Sequence, residues 1–381
     1  MTKMSTVNII VLLFCSTVAT AGTLSWQPPG PYPSKSVCQP ISFDQPDAIA
    51  VDKSDNIYIA NGAGPSAVQE ITLTSGTIRT ILDRRVEPIK SGNYSGLSLA
   101  LGPKGGLFLA VSQRGTVERL NADGTLTVVA GKPGDRRLVD GAHSKARLKA
   151  PNAIAIDEDG AIYVADTRTI RKVGLDGAIT TLAGNPYAEN PSPVEGGSPY
   201  AVDGRGSKAV FMSPNGIAVG HDSNIYVADA YDGDVEGQAA SMGILRTVTP
   251  RGIVRTVAGN IDGVSGDTDG QGGAAAFDSL FGIVINSSGD VYVTEPYAVS
   301  IRRVDPNFRV TSVIAERTGS YLSTGLNAPT AVAVTSHDTL LVVDDVAIGG
   351  IPMLSNKHVN WLHRVVGGQL QTLCGEQESA R

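Results

Sequence analysis

A short sequence pattern occurs six times along the chain, and this repetition constrains the fold more than any other feature. The clearest copies begin at Pro46, Pro151 and Pro214. Each runs through one apolar stretch, crosses a turn rich in Asp, Gly, Ser and Asn, and enters a second apolar stretch. Weaker copies begin at Gly96, Leu280 and Pro329, and the aligned column of large side chains reads Tyr58, Phe108, Tyr163, Tyr226, Tyr292 and Leu341. Regular repetition at this spacing is typical of solenoids and propellers.

Each copy predicts four antiparallel strands. The two apolar stretches form the first pair, and segments such as Thr169 to Val173 and Ile179 to Ala183 form the third and fourth strands. Four strands repeated six times predict an all-β fold, a six-bladed β-propeller that must close into a ring to bury its blades. The 44 glycines among 381 residues fit a chain with many tight turns.

The repeat resembles the NHL repeat. The resemblance rests on the Pro-x-Gly-Ile-Ala-Val-Asp and Ile-Tyr-Val-Ala-Asp patterns, on Ile-Arg-x-Val, and on Thr-Leu-Ala-Gly endings, and it covers roughly residues 46 to 375. An Asp-Gly loop before an inner strand, at Asp140, Asp203 and Asp269, is similar to that of bacterial exported NHL proteins. The resemblance implies a propeller but no single function, because such propellers include protein binders, RNA binders and a few enzymes.

The N-terminus has the layout of a secretory signal peptide. Lys3 precedes an apolar run from Val7 to Cys15, and Ala19-Thr20-Ala21 supplies small residues for cleavage before Gly22. We therefore expect a signal peptide over residues 1–21, a Pro-rich segment over 22–45, the propeller over 46–375 and a tail over 376–381. The expected location is secreted or periplasmic.

Two cysteines remain after removal of the signal peptide. Cys38 precedes the first repeat and Cys374 ends the sixth, so closure of the ring brings their segments together. We predict a Cys38–Cys374 disulfide in the oxidising compartment to which export leads.

The charge of the chain excludes some partners. A formal net charge of −6, with 31 basic and 37 acidic residues, gives no attraction for nucleic acid. Beyond the signal peptide, no apolar segment has the length of a membrane helix, so we expect no integral membrane segment. The sequence does not indicate the oligomeric state.

The predicted connections differ between the two ends of the propeller. Connections at one end are brief, whereas at the other end the sequence places long Gly- and Asp-rich loops over 132–150, 185–213, 230–242, 260–279 and 345–358. Long loops on a rigid scaffold commonly carry binding residues. Acidic residues after the second strands are binding-face candidates there, although such side chains more often accept hydrogen bonds from turns; they are Asp166, Asp229, Glu295 and Asp344.

Asp47, Asn152 and Asn215 follow the residue that begins an inner strand, so we expect them near the mouth of the channel. Their oxygen atoms make them candidate ligands for Ca²⁺ or another divalent cation. Pro214-Asn215-Gly216 also resembles a short metal-binding motif of the SMP-30/gluconolactonase type, which implies metal-dependent lactone hydrolysis. The Glu motif of the first blade in those enzymes is absent, and Asp47 stands in its place.

The favoured interpretation is an exported, noncatalytic propeller scaffold that binds a protein or peptide partner through its long-looped face. The alternative is a divalent-metal-dependent hydrolase or lactonase with its site at the channel mouth. The five histidines are scattered, and the mature chain has no Gly-x-Ser-x-Gly or Walker motif. The two tryptophans form no repeated aromatic stripe, which favours protein or peptide partners over glycans.

Overall fold

The structure of the protein is a computed structural model. It describes residues 43, 46–62, 66–83, 97–188, 201–235, 238–261, 266–314, 326–347 and 358–375. The predicted signal peptide, most of the Pro-rich segment and the tail lie outside these residues. Among the described residues, no helix is long and apolar enough to cross a membrane.

The chain forms six antiparallel sheets, one for each sequence repeat, which confirms the predicted six-bladed propeller. Blade 1 comprises β1 (Pro46–Val51), β2 (Asn56–Asn61), β3 (Ser66–Thr72) and β4 (Thr77–Asp83). Blade 2 comprises β5 (Leu97–Leu101), β6 (Leu107–Val111), β7 (Thr116–Leu120) and β8 (Leu126–Gly131). Blade 3 comprises β9 (Pro151–Ile156), β10 (Ile162–Asp166), β11 (Thr169–Val173) and β12 (Ile179–Ala183).

Blades 4 and 5 each contain one more short strand than the sequence predicts. Blade 4 comprises β13 (Gly204–Arg205), β14 (Pro214–Val219), β15 (Ile225–Val235), β16 (Gln238–Val248) and β17 (Ile253–Ala258). Blade 5 comprises β18 (Gly270–Gln271), β19 (Ile283–Ile285), β20 (Val291–Glu295), β21 (Ser300–Val304) and β22 (Arg309–Ile314). Blade 6 comprises β23 (Pro329–Val334), β24 (Leu340–Ala347), β25 (His358–Val366) and β26 (Gln369–Gly375). Single 3₁₀ turns occupy Ser112–Arg114, Gly206–Lys208 and Gly272–Ala274.

The six innermost strands, β1, β5, β9, β14, β19 and β23, stand side by side around a central channel. The ring closes where blade 6 meets blade 1. The Thr330 hydroxyl donates to the Pro46 carbonyl at 3.2 Å, and the Ser336 backbone N–H donates to the Asp55 carboxylate at 2.7 Å. The apolar core lies between neighbouring blades, and one cluster joins β1 and β2 to β23 and β24 across the seam.

The repeated tyrosine has a specific partner at the turn between the first and second strands. The Tyr58 hydroxyl donates to Asp52 at 3.2 Å, and the Tyr163 hydroxyl donates to Asp157 at 3.1 Å. Burial raises the pKa of Tyr163 to about 12, with the Asp157 charge acting in the same direction, so this phenol stays protonated. The Asp and Tyr of the sequence pattern thus fasten the innermost turn of the blade.

Three of the long predicted loops are built into the blades. We call residues 139–149, 201–213 and 267–279 the latch segments of blades 3, 4 and 5. In blades 4 and 5 the Asp-Gly part of the latch pairs with the outermost strand as β13 or β18, and in blade 3 Gly141 makes a single bridge to Ile179. The latch segments therefore cover the exposed outer edge of each blade, where unpaired strand edges are a liability.

Two other predicted loops are partly β-strand in the described residues. β15 and β16 pair over eleven residue pairs, from Ile225↔Val248 to Val235↔Gln238, where the sequence analysis expects a loop over 230–242. β24 and β25 continue their pairing to Ala347↔His358. Both strand pairs project beyond the second strands of blades 3 and 5, which end at Asp166 and Glu295.

Candidate functional site

The propeller has two unlike faces. We call the end that carries the blade-to-blade connections and the extended ends of β15, β16, β24 and β25 the loop face, and the opposite end, with its short strand connections, the turn face. On the loop face, β15 and β16 of blade 4 and β24 and β25 of blade 6 extend on either side of blade 5. A partner that approaches this face therefore finds blade 5 between the two extended strand pairs.

A small cavity of about 130 Å³ lies at the channel mouth on the loop face. Each inner strand or its lead-in contributes three consecutive residues to the lining, and the outermost of the three are Asp47, Leu97, Asn152, Asn215, Phe281 and Thr330. The structure thus brings Asp47, Asn152 and Asn215 to one cavity, although they come from blades 1, 3 and 4. Asp47 is the charged residue of this lining.

Local contacts orient the three polar side chains at the mouth. The Asn215 side-chain N–H donates to the Leu280 carbonyl at 3.1 Å, and the Ser213 hydroxyl donates to Asn215 Oδ1 at 3.2 Å. The Asp47 carboxylate accepts the Leu97 backbone N–H at 3.3 Å and lies so close to Gly62 that a Cβ atom there would be 2.8 Å away. Asp47 and Asn152 are exposed to solvent.

An aromatic pair borders the same cavity on blade 5. The rings of Phe281 and Tyr297 meet edge to face with their centroids 6.1 Å apart, and Tyr297 is 45% exposed. Neither residue is among the site residues predicted from the sequence. The signal was in the repeat alignment, where Phe281 occupies the position that holds Asp47, Asn152 and Asn215 in blades 1, 3 and 4.

The acidic residues proposed for the binding face are enclosed by the protein: Asp166, Asp229, Glu295 and Asp344 are all 0% exposed. Asp229 accepts the backbone N–H groups of Met212 and Ser213 at 2.9 to 3.2 Å, and Arg246 lies 3.3 Å from the same carboxylate. Asp166 accepts equivalent bonds from Lys149 and Ala150. These carboxylates therefore secure the backbone that leads into the inner strand.

Buried arginines join these carboxylates to the latch segments. Arg171, Arg246 and Arg302 are each fully buried between two acidic side chains. In blade 4, Arg246 reaches Asp203 of the latch at 2.9 Å and lies 4.7 Å from the ring centre of Phe211. Burial raises the pKa of Asp229, and the Arg246 charge and the backbone N–H groups oppose that rise. The triads are thus structural fasteners.

Blade 6 has a histidine where three other blades have arginine. His363 Nε2 lies 3.8 Å from the Asp344 carboxylate, while Nδ1 contacts the Thr372 hydroxyl at 3.1 Å. Burial raises the pKa of Asp344 to about 6 and lowers the pKa of His363 to about 4. This blade therefore lacks the permanent positive charge of blades 3 to 5 at this position.

A second, wider cavity of about 860 Å³ opens on the turn face over blades 1 to 3. Val51, Leu101 and Ile156 supply its apolar part. Its rim carries charges of both signs from Asp52, Lys53, Lys104, Asp157 and Glu158. Because these charges oppose one another, the cavity favours no single ligand chemistry.

Cys374 is fully buried in the cluster that also contains Phe43. The Asn360 side chain donates to the Phe43 carbonyl at 2.5 Å, so the chain a few residues after Cys38 rests on the last blade. Cys38 itself lies outside the described residues, and the Cys38–Cys374 pairing stays a prediction.

The fold and the channel define a six-bladed β-propeller. The family model of the Teneurin NHL domain matches residues 132–202. The Arabidopsis thaliana protein SUPPRESSOR OF QUENCHING 1, chloroplastic, is 26% identical over 182 residues, which span 45% of this chain and 16% of that protein. Teneurin-4 of Homo sapiens is 26% identical over 219 residues, spanning 49% of this chain and 8% of Teneurin-4. Together with the six repeats, these matches support an NHL-repeat propeller, and the matched regions are small parts of the curated relatives.

Solved structures show the same architecture. A streptogramin B lyase aligns with a TM-score of 0.51 and 12% identity over 90% of this chain and 87% of the lyase. A gluconolactonase from Xanthomonas campestris aligns with a TM-score of 0.50 and 14% identity over 81% of this chain and 84% of the enzyme. At these identities the likeness shows the fold alone.

Proposed function

We propose that the protein is an exported binding scaffold that holds a protein or peptide partner on its loop face. The observation that carries this proposal is the extended strand pairing of blades 4 and 6, which flanks the aromatic pair of blade 5, where Tyr297 is 45% exposed. Exposed aromatic side chains are enriched at the centres of protein interfaces. The N-terminal signal-peptide pattern supports export, and the NHL-repeat fold supports a scaffold or binding role.

Photo-crosslinking tests which face is used. A photoreactive phenylalanine analogue replaces Tyr297 on the loop face in one variant and Leu175 on the turn face in the other. Both side chains are exposed, at 45% and 84%, so the second variant is a matched control. In the producing organism we expect a defined crosslinked partner from position 297 and none from position 175. Equal crosslinking from both, or crosslinking from position 175 alone, overturns the assignment.

A shortened hairpin tests the contribution of blade 4. Tyr231 and Met242 are paired, so residues 232–241 can be replaced by Asn-Gly, which forms the two-residue turn that such a pair requires. The base of the hairpin is kept, including the buried Met242, and the blade should still fold. We expect the crosslink from position 297 to fall at least fivefold in this variant.

A divalent-metal-dependent hydrolase remains the second candidate, favoured by the convergence of Asp47, Asn152 and Asn215 on one cavity. The donor set fits a tightly held ion poorly, because it supplies one carboxylate, and both Asn Oδ1 atoms already accept hydrogen bonds from serine hydroxyls. Among the described residues, no group of three or more His, Cys, Asp and Glu side chains is placed to hold a metal. Thermal-shift measurements with Ca²⁺, Mn²⁺ and Zn²⁺ test this candidate, which requires stabilisation that depends on Asp47.

A further inference from the structure

We propose that the channel mouth receives one basic side chain, a lysine or an arginine, presented by the partner. This inference rests on the proposed binding function and specifies the chemistry that the loop face recognises. It follows from the size, the charge and the aromatic border of the 130 Å³ cavity.

The size of the cavity limits what can enter. The mouth offers about 130 Å³ of open volume. That volume holds one long side chain but excludes a helix or an extended peptide. Below the polar outer layer, Ile49, Leu99 and Ile154 line the cavity with apolar surface, which suits the methylene stem of a long side chain.

The charge of the mouth favours a cation. Asp47 is the charged residue of the lining and is exposed to solvent, so it places a carboxylate at the mouth. Asn152 and Asn215 place two amide oxygens at the same level of the channel. A lysine ammonium has three N–H donors and no acceptor. The Asp47 carboxylate and the second lone pair of each amide oxygen, whose first lone pair accepts a serine hydroxyl, can receive these donors. The chain as a whole carries a formal charge of −6, which draws cations to the surface.

The aromatic border adds a second attraction for the same ligand. Phe281 lines the cavity, and Tyr297 packs edge to face against it. The face of an aromatic ring attracts an ammonium or guanidinium group, and the contribution grows when the pair is shielded from water. An anionic side chain would meet the Asp47 carboxylate and be repelled by it, so the site discriminates against acidic partners.

Titration with small probes tests the inference directly. We expect Nα-acetyl-lysine amide to shift the NMR signals of the channel-mouth residues and Nα-acetyl-norleucine amide, which lacks the ammonium, to bind at least tenfold more weakly. Asp47→Asn should weaken binding of the lysine probe at least tenfold, and Phe281→Leu should weaken it severalfold. Asp176→Asn, in an exposed turn on the other face, is the control and should bind like the parent protein.

Two outcomes overturn the inference. One is equal binding of the lysine and norleucine probes, or binding that survives Asp47→Asn. The other is Asp47-dependent binding of Ca²⁺ without binding of the lysine probe, which assigns the mouth to a metal ion. Because Phe281→Leu leaves the Asp47 contacts in place, it keeps the test decisive if Asp47→Asn fails to fold.

The crosslinking result at position 297 separates this inference from the proposed function. If a partner crosslinks at position 297 but the lysine probe does not bind, the inference of a basic side chain is wrong and the proposed binding scaffold stands. If no partner crosslinks at position 297 and the lysine probe does not bind, both the inference and the proposed function are wrong.

Discussion

One position of the third strand shows how single residues adapt a repeated blade. The residues opposite the centre of the second strand are Gln69, Glu118, Arg171, Arg246, Arg302 and His363 in blades 1 to 6. In blade 1 the neutral pair of Asn61 and Gln69 replaces the ion pair, with a hydrogen bond of 3.1 Å. The side chain at this position is therefore a permanently charged arginine in blades 3 to 5 and a neutral amide in blade 1.

Asp344, the buried acid of blade 6, contributes more to stability at low pH than at neutral pH. Burial raises the pKa of Asp344 to about 6, so the folded protein binds this proton more tightly than the unfolded chain. The resulting stabilisation is fully present below the unfolded pKa near 4 and is lost as the pH rises through 6. We expect the cost of Asp344→Asn to grow by up to about 3 kcal/mol as the pH falls from 7 to 4.

Urea denaturation at a series of pH values measures this cost. Val342→Ala, an apolar substitution in the same strand, is the control, because its cost should not change with pH. A cost of Asp344→Asn that shrinks on acidification would show that the carboxylate is held ionised and that its pKa is lowered.

At the scale of the element, the latch segments are blade-to-blade connections that pair with the outermost strands of blades 3, 4 and 5. In blade 4, Asp203 accepts the Thr256 backbone N–H at 2.9 Å and the Thr256 hydroxyl at 3.0 Å, and it contacts Arg246. One carboxylate therefore holds the latch to the outermost strand and to the buried arginine.

We predict that Asp203→Ala loosens the blade 4 latch without unfolding the propeller. Loss of these bonds should cost about 1.5 kcal/mol locally and make amide exchange about tenfold faster over 201–213 and at Thr256. Hydrogen exchange with mass spectrometry measures these exchange rates, and Asp176→Ala, in an exposed turn of blade 3, is the control. Faster exchange in all six blades, or in none, contradicts this role.

The sequence predicts the elements well because their signals are local. The Pro, Asp and Tyr of each repeat mark two strands and the turn between them. The role of Arg171 was not predictable in the same way, although its Ile-Arg-x-Val motif is visible, because its partner Asp140 comes from the latch ahead of the blade. The place of Phe281 at the mouth was predictable from its repeat position, whereas its contact with Tyr297 depends on how blade 5 turns at the mouth. Long-range convergence of this kind requires the fold.

At the scale of the whole molecule, the contacts at the seam between blades 6 and 1 determine whether the ring stays closed. We predict that the Cys38–Cys374 disulfide stabilises this seam by about 5 kcal/mol, because it closes a loop of almost the whole chain. A reducing agent should lower the melting temperature of the parent protein and leave that of Cys38→Ser unchanged. Thiol titration that finds both cysteines free in the oxidised protein contradicts the pairing.

The same seam has a consequence for how such a module is used in larger proteins. Phe43, where the chain enters the propeller, and Cys374, where it leaves, belong to one core cluster. A domain whose two ends meet can be spliced into the middle of another polypeptide without pulling the host sequence apart. That geometry allows the propeller to be inserted within a longer polypeptide.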